Sequence, residues 1–173
     1  MSRKALDQIP RFLVTSATTT AADTNQQVTV QFPIGRLIGG GNSQQLVELL
    51  WVELYHGTTF NAHDDCVGIG ISTQDTAFNC LGPADYMKTA GALCAFTNTM
   101  CLLTSGAVMK QQPMIYDWSL EGRGRLVATE NLYINFDTAG AGATQDWTVF
   151  LYYRVVKATL QDYLALLQSQ QNV

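Results

Sequence analysis

The densest run of side chains able to bind a metal or move a proton is His63-Asp64-Asp65-Cys66. In an extended segment His63 and Asp65 share a face. His56, the other histidine, lies seven residues earlier across Gly57-Thr58-Thr59. His63 and Asp65 are the candidate ligands, yet the spacing matches no familiar zinc pattern and the ligand count is marginal. A solvated loop with both at its tip is the competing reading, and no metal is expected. Glu48 and Glu53 are an odd number of positions apart, so a regular strand sends them to opposite faces and spoils an acid–base pair. The chain contains no G-x-S-x-G, H-E-x-x-H, P-loop or G-x-G-x-x-G, and Gly122-Arg123-Gly124-Arg125 lacks the third glycine. Cys66, Cys80, Cys94 and Cys101 contain no C-x-x-C and read as buried, reduced thiols of an intracellular protein. Catalysis has no anchor here, and neither an enzyme nor a cofactor is expected.

Positive charge gathers in two places. Arg3, Lys4 and Arg11 put three of the ten basic residues in the first eleven positions, with Asp7 between them. Arg123 and Arg125, with Arg154 and Lys157, form a second group if the turn at 123–125 lies near the end of the last strand. Either group could hold a few phosphates. Solvated surface charge or salt bridges between subunits is the competing reading for each. A formal charge of −4 and a pI near 4.9 exclude a protein that coats nucleic acid by bulk charge.

These residues must be positioned by a single domain, because 173 residues suffice for one well-filled core. The chain is 47% hydrophobic but only 14% charged, against roughly 25% charged in an ordinary soluble domain. Disorder is therefore excluded. The polar surface must consist mostly of Thr, Gln, Asn and Ser, a kind of surface suited to burial against identical copies. No apolar run reaches the roughly 18 residues of a membrane span, so no membrane partner is expected. Met1-Ser2-Arg3-Lys4-Ala5-Leu6-Asp7 has no apolar stretch behind its basic start, and no signal peptide is read there.

Short apolar runs alternate with Gly, Asn, Asp and Thr clusters along the chain. Residues 12–20 are rich in β-branched side chains and suit an arm or an edge strand. Val28, Val30 and Phe32 alternate with Thr29 and Gln31, the period of a strand with one buried face. Residues 46–56 fit a helix or a strand. The strand is preferred because its neighbours are strands and a strand buried on both faces is continuously apolar. It would place Val47, Leu49, Trp51 and Tyr55 together. In 66–72, Val67, Ile69 and Ile71 oppose Gly68 and Gly70, and the glycines predict a close neighbour or a bulge. Pro83 can open a short helix, with strands expected near 100–104 and within 107–118.

Leu126-Val127-Ala128 and Asn131 to Phe136 read as strands, and Asp137 to Ala143 as a loose connection. Residues 147–157 form the clearest strand, with Trp147, Val149, Leu151, Tyr153 and Val155 on one face. Thr148, Phe150, Tyr152, Arg154 and Val156 lie on the other. Thr159 then opens a short helix with Asp162 in its first turn and a Leu160, Tyr163, Leu164 and Leu167 stripe. The polar tail 168–172 is expected to fray. Seven to nine strands without βαβ alternation predict an all-β fold, a single jelly-roll β-sandwich of about eight antiparallel strands with a short C-terminal helix. The division is an arm or edge strand over 1–24, the jelly-roll domain over 25–158, and a helix and tail over 159–173.

The segments Gly124-Arg125-Leu126-Val127-Ala128-Thr129-Glu130-Asn131-Leu132-Tyr133-Ile134 and Asp146 to Lys157 carry a resemblance. With Gln161-Asp162-Tyr163-Leu164 and Gln168-Ser169-Gln170-Gln171, they resemble the C-terminal part of capsid proteins from small circular single-stranded DNA viruses. The match covers about a third of the chain well; Val28 to Leu37 and Val47 to His56 fit more loosely. The resemblance implies a jelly-roll subunit of an icosahedral shell, found in the virion and assembled inside the host cell. Its partners would be other copies of itself and, weakly, a single-stranded DNA genome held by Arg3, Lys4, Arg11, Arg123 and Arg125. Leu160, Tyr163, Leu164 and Leu167 would then cover a sheet edge or dock on a neighbouring subunit. One departure stands out: such proteins usually begin with a long Arg/Lys-rich arm, and here it is nearly missing. Two other classes stay open. One is an oligomeric jelly-roll binding module, lectin-like or resembling a trimeric ligand. The other is a small β-sandwich enzyme, which would need His56, His63 and Asp65 to converge.

Overall fold

The computed structural model describes residues 4–5, 10–21, 24–32, 43–57, 66–75, 79–89, 91–99, 114–121, 124–140 and 144–171. Its strands are β1 (Lys4–Ala5), β2 (Arg11–Thr18), β3 (Asn25–Gln31), β4 (Ser43–His56), β5 (Cys66–Ser72), β6 (Ala92–Thr99), β7 (Met114–Asp117), β8 (Arg125–Val127), β9 (Asn131–Ala139) and β10 (Asp146–Thr159). Helix α1 spans Pro83–Tyr86 and α2 spans Leu160–Gln171. The strands expected at 100–104 and from 107 to 113 lie outside the described residues.

All pairings are antiparallel and fall into two sheets. In sheet A the long strands β10 and β4 lie side by side. β1 and β2 follow one another along the free side of β10, and β7 and β8 follow one another along the free side of β4. Sheet B has the order β3-β9-β5-β6. Each tandem pair fills one strand position, so both sheets are four positions wide. The chain passes from β2 in sheet A to β3 in B, β4 in A, β5 and β6 in B, β7 and β8 in A, β9 in B and β10 in A. That is the connectivity of a single jelly roll of eight positions.

The core forms where the inner faces meet. Trp147, Val149, Leu151, Tyr153 and Val155 are each at most 5% exposed and pack with Val67, Ile69, Ile71, Leu132, Ile134 and Phe136. Burying each such side chain contributes about 1.5–3 kcal/mol. The alternation expected for β3, β5 and β10 is present. In β4 it breaks. The register slips opposite Tyr152/Tyr153, so that Tyr152 pairs with Trp51 and Tyr153 with Leu49. Leu50 is the extra residue of a β-bulge, and its carbonyl accepts a 2.9 Å bond from the Trp118 N–H. Val47 and Leu49 are core before the bulge, and Val52 and Leu54 after it. The expected grouping of Val47 and Leu49 with Trp51 and Tyr55 is therefore wrong: the bulge turns the latter two outward.

Sheet B is pressed from outside by the segment at 79–89. A Cβ on Gly68 would lie 2.4 Å from the Cys80 carbonyl oxygen, and one on Gly70 would lie 2.5 Å from the Tyr86 ring. The bare glycine face is thus the seat of this strap, the close neighbour expected from sequence. Residues 137–139 extend β9 rather than forming a loose connection. Asp137 and Thr138 are sheltered at 7% and 4% exposure, and Asp137 accepts a 3.3 Å bond from the Cys80 N–H.

Thr159 caps α2 by accepting the Asp162 N–H at 3.2 Å. Tyr163, Leu166 and Leu167 pack on Leu46, Ala128 and Val156. The tail does not fray at Gln170, which is 7% exposed. Its amide donates to the Leu126 carbonyl at 2.7 Å and accepts from the Ala128 N–H at 3.0 Å. A side chain there satisfies two backbone groups at the end of β8.

Candidate functional site

Among the described residues the groups that could do chemistry are dispersed. His56 ends β4 opposite Trp147 and is 8% exposed. Burial pushes its pKa below the usual 6.5, so the neutral ring is favoured. His63 and Asp65 lie outside the described residues. Among the described residues no group of three or more His, Cys, Asp or Glu could hold a metal ion. Cys66, Cys80 and Cys94 are thiols, and the last two are buried. Desolvation, helped by the nearby Asp137 charge, pushes Cys80 up to about 12, and desolvation raises Cys94 as well. Neither is a thiolate nucleophile at neutral pH. Cys101 lies outside the described residues.

The bulge also corrects the reading of the two glutamates, since it puts Glu48 and Glu53 on the same outer face. They still make no acid–base pair. Glu48 is 1% exposed and holds Arg154 Nε at 2.6 Å and the Gly124 N–H at 3.0 Å.

Among the described residues the basic groups do not converge as one cluster. Arg3 and Arg123 lie outside the described residues. Lys4 pairs in register with Lys157, and Arg11 with Tyr153. Arg125 sits opposite Leu49, with β4 standing between it and Arg154 on β10. Two strand spacings separate them by about 10 Å. Arg125 instead lines a cavity of about 420 Å³ with Trp118, Leu166 and Gln170.

The α2 stripe divides as well. Tyr163 and Leu167 pack against the sheet, while Leu160 and Leu164 remain 41% and 51% exposed. At twelve residues α2 is too short to cross a bilayer, and among the described residues no helix is long and apolar enough to do so.

What the fold does assemble is an apolar surface on the outer face of sheet A. Register places Phe12, Tyr152, Trp51 and Asp117 in one row across β2, β10, β4 and β7. Val14, Phe150, Glu53 and Ile115 form the next row. The Trp51 and Tyr152 rings lie 4.0 Å apart, Phe12 and Tyr152 lie 6.3 Å apart, and Tyr55 meets Phe150 edge-on at 5.4 Å. Phe12 and Ile115 are 67% and 54% exposed. The signal that could have found this face was β10 itself, whose second set of alternating residues includes Phe150 and Tyr152.

The strand order and inner core define a jelly-roll protein. No family model and no curated protein matches the chain. Among solved structures it is similar to VP1 of Trichodysplasia spinulosa-associated polyomavirus in complex with 3'-sialyllactose. The TM-score is 0.54 at 8% identity, over 91% of this chain and 100% of that one. The same VP1 in complex with sialylated precision glycooligomers aligns with a TM-score of 0.51 at 7% identity, over the same shares of both chains. At such identities the likeness is one of fold.

Proposed function

We propose that this chain is a viral capsid protein whose identical copies close into a small icosahedral shell. The observation that carries the reading is the eight-position jelly roll built from a chain only 14% charged. Shell building requires repeated, largely uncharged contacts between copies, and closed symmetry sets where growth stops. The fold likeness to a polyomavirus VP1 supports the same reading. The C-terminal resemblance adds the finer proposal, a small circular single-stranded DNA virus. On this reading the protein is no enzyme, uses no cofactor, assembles inside the host cell and resides in the virion.

Genome contact is weak on this reading. A shell of many subunits carrying −4 each does not neutralise phosphates, and Arg3, Lys4, Arg11, Arg123 and Arg125 supply only local contacts. Leu160 and Leu164 are free to meet a neighbouring subunit, while Tyr163 and Leu167 hold the helix that presents them.

Negative-stain microscopy of the purified protein tests the assignment. Hollow spheres of uniform size are expected, and small discrete oligomers would replace it with the binding-module reading. The ratio of absorbance at 260 and 280 nm in those particles reads nucleic acid, and a protein-like ratio excludes genome binding by this chain.

A further inference from the structure

We propose that the cavity beside Arg125 is a binding site for a small monocarboxylate with an apolar body, its head held by the Arg125 guanidinium. The site stands on the geometry of one edge of the sandwich and is independent of the shell reading.

Among the described residues β8 pairs only with β4 and β6 only with β5, so each is an edge of its sheet. The cavity of about 420 Å³ lies where these edges meet, with Leu93 on one side and Arg125 and Leu126 on the other. Trp118 and Leu166 add to its walls. Opposite residues of an antiparallel pair share a face. Val127 stands opposite Val47 and Arg125 opposite Leu49, and Val47, Leu49 and Val127 all belong to the core. Arg125 is therefore on the core-facing side of sheet A, at its rim, where it keeps access to solvent. Its charge is felt inside: burial raises the Cys94 thiol, and Arg125 works against that rise.

Arg154 has the Glu48 carboxylate at 2.6 Å, but among the described residues no carboxylate pairs with Arg125. Its five N–H donors line a cavity whose other polar groups are already used. The Gln170 amide holds the Leu126 carbonyl and the Ala128 N–H. The Gly124 N–H goes to Glu48, and the Ser169 hydroxyl donates to the Leu166 carbonyl. The guanidinium fork is the group left to hold a ligand.

One fork takes one oxyanion head in bidentate fashion. A carboxylate brings the single charge that one guanidinium balances. A phosphate monoester brings about 1.5–2 charges and leaves the excess beside leucines. Leu93 and Trp118 are 4% and 8% exposed, and with Leu126 and Leu166 they ask for an apolar body behind the head. The volume falls within the roughly 300–1,000 Å³ of small-molecule sites.

Isothermal titration calorimetry of the full chain with sodium octanoate tests the site. The parent is expected to bind one octanoate per chain and to saturate. Octanol, the same body without the charge, is expected to bind about tenfold or more weakly. Arg125→Gln is expected to lose a similar factor. Lys88→Gln removes a cation from an exposed ion pair elsewhere and is expected to bind as the parent does. The octanol comparison needs no variant, so it decides the matter even if Arg125→Gln fails to fold. Octanoate heat that never saturates, or octanol binding as tightly as octanoate, would overturn the site. So would an Arg125→Gln variant that melts and binds like the parent. Thymidine monophosphate binding more tightly than octanoate, with that binding lost in Arg125→Gln, would give the cavity to nucleotides and end the carboxylate proposal. None of these readouts needs assembled particles: failure here leaves the shell reading standing, and failure of the shell leaves this site standing.

Discussion

Glu48 on β4 reaches across to Arg154 on β10, with Oε2 and Nε 2.6 Å apart, although the glutamate is 1% exposed. Its other oxygen accepts the Gly124 N–H at 3.0 Å, tying the turn before β8 to the same carboxylate. Removing the cation strands a buried charge, which costs more than the pair itself contributes. Arg154→Met is expected to destabilise the fold by about 3 kcal/mol. Glu48→Gln keeps an acceptor for Gly124 and is expected to cost about 1–2 kcal/mol. Urea unfolding checks this: the midpoint should fall further for Arg154→Met, with an unchanged slope.

The strap over sheet B depends on two missing methyl groups. Gly68→Ala would drive a Cβ into the Cys80 carbonyl, a backbone atom that cannot swing aside. Gly70→Ala meets the Tyr86 ring, which can tilt. About 2–3 kcal/mol is expected for the first and about 1–2 kcal/mol for the second. Limited proteolysis should show cleavage within 79–89 rising in the same order, and equal cleavage in both variants would contradict it.

His56 and Asp137 push acid stability in opposite directions. Burial lowers the His56 pKa, so the unfolded chain binds its proton more readily. Its neutral form is at no disadvantage above the ordinary 6.5, and stability is lost as pH falls from 6.5 toward the depressed folded value. Asp137 is raised by burial, against the backbone hydrogen bonds from Cys80 and Thr138 that favour its charged form. Its folded state holds a proton more tightly, so its destabilising effect fades as pH falls through the raised value toward 3.8. Thermal melts are expected to show His56→Gln flattening the decline that begins near 6.5, and Asp137→Asn removing the recovery nearer 4. A decline near 6.5 that survives in His56→Gln would assign it elsewhere.

Legibility followed how local the cause was. β3, β5 and β10 were readable because each alternates cleanly and one face of each faces the core. The seat for the strap was readable from Gly68 and Gly70, since a strand gives up side chains only where something comes close. β4 was readable as a strand but not in its facing, because one extra residue at Leu50 exchanges the two faces and leaves no mark in composition. Asp137 to Ala139 looked like loop because their polarity is answered by partners far away in sequence, Asp137 by the strap and the Thr138 hydroxyl by the Thr24 N–H. The outer face of sheet A was half readable. Phe150 and Tyr152 mark it, but its staying uncovered depends on α2 settling over Leu46 and Val156 instead, which only the assembled fold decides.

The C-terminal helix separates the groups that hold it from those it displays. Gln170 bridges the Leu126 carbonyl and the Ala128 N–H, so Gln170→Ala leaves two sheltered backbone groups without their partner. An unsatisfied buried polar group costs about 1–3 kcal/mol, and a loss of about 2 kcal/mol is expected from that substitution. Leu164 is 51% exposed, and Leu164→Ala should change stability by no more than about 0.5 kcal/mol. Hydrogen exchange adds the spatial readout. Gln170→Ala is expected to speed exchange at Ala128 and through the last turn of α2, while Leu164→Ala leaves both slow. If Leu164→Ala loosened the helix as much as Gln170→Ala does, the exposed leucine would be holding the fold rather than presenting a surface.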